Sequence, residues 1–237
     1  MFNENQKSFR DPYLVHIGRT LEDIESMRIR QGNRHFQLTN DKPDEDGVQR
    51  GLGLPENDPA VLVSSNIFDR LQPIEEDVEK ELVSYVKKMP IYPYIKGAKG
   101  VGEKQAARLL AEIGDPYWHE NEDRPRTVSE LWAYCGYAVQ DGVAQKRKRG
   151  EKSNWSNKAK MRAYLIATSC IKTNGAYREL YEEERASHDG VLIEDKPITK
   201  GHSHNRALRR VAKEVLKDMW IASRAIHNGE EIVPKDY

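Results

Sequence analysis

Between residues 203 and 227 the apolar side chains recur every three or four positions. Leu208, Val211, Ala212, Val215, Leu216, Met219 and Trp220 make one broad stripe, while Arg206, Arg209, Arg210 and Lys213 lie off it. A period near 3.6 belongs to a helix packed on one face, and a stripe this long commits the chain to building a helical core around it. The same period recurs upstream. Leu14, Ile17, Leu21, Ile24 and Met27 predict a helix over 12–30 opened by Pro12. A second is predicted over 74–88, with Glu75, Glu76 and Asp77 in its first turn and Lys87 and Lys88 in its last, as the helix dipole favours. Ala106, Ala107, Leu109, Leu110 and Ile113 form the apolar face of another, stopped by Gly114. Thr127-Val128-Ser129-Glu130 is a capping-box pattern ahead of Leu131, Trp132 and Cys135. Further helices are expected at 157–172 and 176–186, with 137–157 irregular and a polar linker at 187–201. Only Val61-Leu62-Val63 suggests a short strand.

The expected fold class is therefore mostly α. Residues 1–39 read as an N-terminal helical segment, and 40–59 as an acidic linker rich in Pro and Gly. Residues 60–228 read as one helical domain, and 229–237 as a tail. No stretch approaches the ~18 consecutive apolar residues of a membrane span and no signal peptide is evident, so a cytoplasmic compartment and no membrane partner are expected. Cys135 and Cys170 cannot build a disulfide scaffold or a four-cysteine zinc site. Zinc sites usually need three or four ligands and neither cysteine lies near His202-Ser203-His204 in sequence, so no metal and no cofactor are expected.

Charge totals conceal a pattern. The chain has 38 Lys and Arg against 38 Asp and Glu. Yet residues 1–95 carry a net −5, while 96–110, 141–172 and 196–224 carry +3, +7 and +6. Three basic blocks in a neutral chain are the footprint of a polyanion partner. The densest is Lys146-Arg147-Lys148-Arg149, followed by Lys152 and Trp155: cations to track phosphates and an indole to stack on a base. DNA, mainly through its backbone, is the expected partner, and structured RNA is a second polyanion that the same charges admit.

The sharpest local motif is Gly100-Val101-Gly102 between two helices, with Lys99 before it and Lys104 after. Glycines permit a tight turn and a close backbone approach to phosphate, and the amides opening the next helix point outward as donors. This is the composition of a helix-hairpin-helix DNA-binding motif, placed at 90–114.

The run YIKGAKGVGEKQAARLLAEIGDP at 94–116, followed by TVSELWAYCGYAV at 127–139, resembles the C-terminal domain of the insertion-sequence 110/116/902 transposases. Those domains carry a similar glycine hairpin, an AA-x-L-L-A-E-I-G-D helix and an L-A-x-Y-x-G segment. The resemblance continues through the basic loop and KMRAYLIA, and more weakly through NRALRRVAKEVLKDMWIA, spanning about residues 90–224. It implies a DNA-binding domain for transposition or recombination. Active relatives add an N-terminal nuclease fold with four acidic metal ligands, and no such quartet is evident here; Asp69 and Asp77 read as solvated helix charges. Where the family places its recombinase serine, ahead of Gly142, this chain has Asp141, which cannot replace a hydroxyl nucleophile. Ser153 and Ser156 are the alternative nucleophile candidates in that loop. Three functions stay open: a DNA-binding derivative without complete catalysis, an active recombinase, or a helical interaction protein that forms homo-oligomers through the 203–227 stripe.

Overall fold

The computed structural model of the chain describes residues 11–140, 142–146, 149–193 and 196–232. Helices dominate them: α1 Pro12–Thr39, α2 Pro59–Val86, α3 Tyr92–Gly97, α4 Glu103–Ile113, α5 Val128–Tyr134, α6 Asn157–Cys170, α7 Ala176–Ala186 and α8 Lys200–Asn228. The described strands are two-residue antiparallel pairs: β1 Trp118–His119 with β2 Arg124–Pro125, β3 Val139–Gln140 with β4 Val143–Ala144, and β5 Leu192–Ile193 with β6 Lys196–Pro197. None of the described helices is long and apolar enough to cross a membrane.

The chain divides into two compact units, His16–Ser84 and a larger one made of residues up to Val15 together with Tyr85–Tyr237. The smaller unit holds most of α1 and α2. Its first helix runs nine residues beyond the expected 30, because nothing between Ile29 and Thr39 breaks it. The expected strand at Val61-Leu62-Val63 is instead the first turn of α2. The local chemistry explains this: Pro59 takes the first helical position and the Asp58 carboxylate accepts the Ala60 amide at 2.8 Å, so the helix is capped before any strand can form. The helix expected at 74–88 is the second half of the same element, which runs through Pro73. Glu75, read as a first-turn acid, lies mid-helix and accepts from Arg28 Nε at 2.6 Å.

Residues 40–59 read as a linker by composition, yet Pro59 opens α2 and the residues before it fold back along the end of α1. The Leu52 and Leu54 amides donate to the Gln37 and Leu38 carbonyls at 2.9 and 2.8 Å, and Arg50 pairs with Asp44 and Asp46. Phe36, Leu62 and Val63 stay exposed in this unit.

In the larger unit α8 packs against α5, α6 and α7, and α6 packs against α4. The α8 stripe is consumed there: Leu208, Val211, Val215, Leu216 and Met219 are buried among this chain's own helices. Two polar clusters tie α8 in. The Tyr177 hydroxyl donates to the buried Asp218 carboxylate at 3.0 Å, with Tyr94 bonded to Tyr177 at 3.0 Å. Buried Asp115 accepts from Ser223 at 2.6 Å and from the Tyr117 amide at 2.8 Å, and pairs with His227 at 2.7 Å. The Thr127–Glu130 capping box forms as expected. Cys135 and Cys170 are unpaired, and burial pushes both thiols up to about 12.

Candidate nucleic-acid interface

Pro93 sits in the first turn of α3 and Gly97 ends it, with the Ala98 amide returning to the Tyr94 carbonyl at 2.9 Å. The Val101 amide then bonds the Ala98 carbonyl at 3.1 Å and buries its side chain, so the turn is anchored from inside. Gly102 caps α4 with extended backbone, and its carbonyl accepts the Ala106 amide. Lys99, Gly102 and Lys104 remain exposed.

The two glycines differ in what constrains them. Gly100 has φ +85°, and a Cβ there would lie 2.5 Å from Cys170 Cα and 2.6 Å from Thr173 Oγ1. Its lack of a side chain is demanded by the end of α6. At Gly102 a Cβ would meet nothing within 4 Å, so that backbone faces open space. Beside it Glu103 accepts from the Tyr92 hydroxyl and pairs with Lys87 at 2.9 Å, and these partners hold its carboxyl below the usual range.

In the basic loop Asp141, Arg147 and Lys148 lie outside the described residues. Lys146, Arg149 and Lys152 are exposed. Trp155 lies against Gly136: a Cβ on that glycine would reach 2.6 Å from the indole Cδ1, and Lys160 Nζ sits 5.0 Å from the ring centroid. The glycine of the Tyr-Cys-Gly segment is thus a seat for the indole. Ser153 accepts from the Asn157 amide at 3.0 Å. Ser156 caps α6, its hydroxyl accepting the Ala159 amide at 3.1 Å and donating to Glu112 at 2.6 Å.

A cluster to which the sequence reading gave no role joins α6 to α8. Arg209 donates to the Tyr137 and Ala138 carbonyls at 2.6 and 2.8 Å, and its guanidinium lies 5.5 Å from the Tyr137 ring centroid. Lys213 Nζ lies 3.9 Å from the Trp132 ring centroid. Burial, then the charge of Arg209, lowers the Lys160 ammonium; burial, then Arg209 and Arg210, lowers that of Lys213. Among the described residues none of Lys160, Arg209 and Lys213 has a carboxylate ion-pair partner. Cations held together over aromatic rings without acids form a surface that favours an anion. The available signal was Arg209 and Lys213 at i, i+4, off the apolar stripe.

His204 and Tyr181 are bonded at 2.6 Å between Nδ1 and the hydroxyl. Among the described residues no group of three or more His, Cys, Asp or Glu side chains is placed to hold a metal ion.

Over 149 residues the chain is 24% identical to a Streptomyces coelicolor protein described as the insertion element IS110 uncharacterized 43.6 kDa protein. It is similar to an insertion-element protein. The match covers 62% of this chain and 32% of that protein, so the chain spans about a third of the curated relative's length. No protein-family model matches it, and no solved structure does.

Proposed function

We propose that this chain is a DNA-binding protein of transposase type that grips the phosphate backbone through the 98–104 turn, acting as a helix-hairpin-helix, and through the 146–152 loop. The observation that carries the reading is Gly102: an exposed, side-chain-free backbone at the head of α4, flanked by exposed Lys99 and Lys104. Outward amides and a positive helix end suit phosphate without reading sequence. Similarity to an insertion-element protein supports the assignment to transposition or recombination. Asp141 at the family's serine position supports a catalytically incomplete derivative.

Gly102→Val tests the hairpin. It should weaken binding to all duplex sequences alike in gel-shift titrations while the circular dichroism spectrum is unchanged. Binding equal to wild type would return the turn to a purely structural role.

The second reading, an active recombinase, rests on Ser156, whose hydroxyl donates to the Glu112 carboxylate as a nucleophile donates to its base. It requires a covalent protein–DNA adduct on a labelled duplex with magnesium. The same oxygen caps α6, which accounts for the serine without chemistry.

A further inference from the structure

Where α6, α8 and the end of the Tyr-Cys-Gly segment meet, the surface opens into a pocket of about 440 Å³. That lies within the ~300–1,000 Å³ typical of small-ligand sites. Its base is the buried Tyr137 ring with Arg209 beside it, the guanidinium fixed by two backbone carbonyls. The Tyr137 hydroxyl is itself tied to the Lys160 carbonyl at 3.1 Å, so the floor is rigid. Met161 and Tyr164 line it from α6 with 44% and 42% of their surfaces exposed. Lys160 lines the same pocket, and Asn205 adds an amide from α8 that makes no hydrogen bond among the described residues.

We infer that this pocket receives one unstacked nucleotide of single-stranded DNA, its base against Tyr164 and Met161 and its phosphate on Lys160 and Arg209. The assignment rests on the proposed DNA-binding role and extends it from duplex backbone to a single base. Three observations converge on that occupant. An aromatic wall and a thioether offer a surface for a π-face of any sequence. Lys160 and Arg209, two cations on one rim with no carboxylate paired to them among the described residues, favour an anion there. The Asn205 amide presents both a donor and an acceptor, the complement of a base edge. The basic loop leads directly into Asn157 at the pocket's rim, so a strand tracked by Lys152 arrives at this opening.

Fluorescence anisotropy on a labelled single-stranded DNA, the same strand with central abasic sites, and a duplex tests the assignment. Tyr164→Ala should weaken single-strand binding at least about fivefold with the salt slope unchanged, since stacking is lost and charge is not. Duplex affinity should stay within about twofold, and Tyr164→Phe should restore wild-type behaviour. Lys160→Gln should instead reduce the single-strand salt slope by about 0.7. Wild type should bind the abasic strand about as weakly as Tyr164→Ala binds the intact one. Unchanged single-strand binding by Tyr164→Ala overturns the pocket, as does an equal loss on duplex, an absence of single-strand binding by wild type, or a Tyr164-dependent preference for RNA of the same sequence. A Tyr164 effect in a protein that fails to bind duplex would leave the pocket standing and remove the hairpin role.

Discussion

Gly100 and Gly102 should respond very unequally to the same substitution. At Gly100, alanine must adopt φ +85°, which costs roughly 1–2 kcal/mol for an L residue. Its methyl would also fall 2.5 Å from Cys170 Cα, a backbone atom in the last turn of a packed helix, so the relief cannot come from rotating a side chain. Forced overpacking adds about 1–3 kcal/mol. Gly100→Ala is therefore expected to cost about 2–5 kcal/mol, or roughly 5–15 °C in Tm for a domain of this size. Gly102 has φ −69° and ψ 133°, open to any residue, and empty space at its Cβ. Gly102→Ala should cost no more than about 1 kcal/mol, the difference between glycine and alanine as an N-cap. Urea titration followed by circular dichroism measures both. Equal stabilities for the two variants would refute the claim that α6 dictates Gly100, and would reopen both glycines as positions shaped by a ligand.

Three further outcomes follow from the same geometry. Arg124, then the Thr127 amide, holds the Glu130 carboxyl down to about 2; a depressed carboxylate stabilises the fold above its ordinary value near 4.5, so stability should fall as pH drops from there towards 2. Glu130→Gln should flatten that part of a pH–Tm profile, and an unchanged profile would deny the pair any role. Asp115→Ala leaves the His227, Ser223 and two backbone donors without their acceptor and should cost at least about 1–3 kcal/mol in urea unfolding, with a cost under about 1 kcal/mol counting against the cluster as the tie between α8 and the segment after α4. Replacing exposed Lys146, Arg149 and Lys152 with glutamine should reduce the salt slope of duplex binding by up to about 0.9 per residue without changing Tm by more than a degree or two; an affinity loss with an unchanged slope would indicate a packing defect instead.

Periodicity served the larger unit well because its helices bury one face each against neighbours in the same chain. The α8 stripe, the α4 face and the Thr127 capping box all follow from spacings of three and four residues. It failed where one helix outlasts its own pattern. Past Met27 the regular apolar spacing stops while the backbone stays helical to Thr39, with Met27 and Phe36 exposed. At Val61-Leu62-Val63 three β-branched or apolar residues in a row resemble a strand, and the Asp58 cap three residues upstream decides the matter. The fold-back of 40–58 depends on backbone bonds to Gln37 and Leu38, which composition does not encode.

The candidate site was legible as charge but not as place. Block counts set Lys160 in one basic segment and Arg209 and Lys213 in another, and no spacing rule joins them. Packing of α6 on α8 does so, because the apolar stripes of both helices must face inward, which turns their off-stripe cations towards a common rim. Burial first, and the neighbouring cations after it, lower the Lys160 and Lys213 ammonium groups. The aromatic rings beneath the cations carry part of the load, and an arriving phosphate would carry the remainder, coupling the stability of this helix pair to the occupancy of the surface above it.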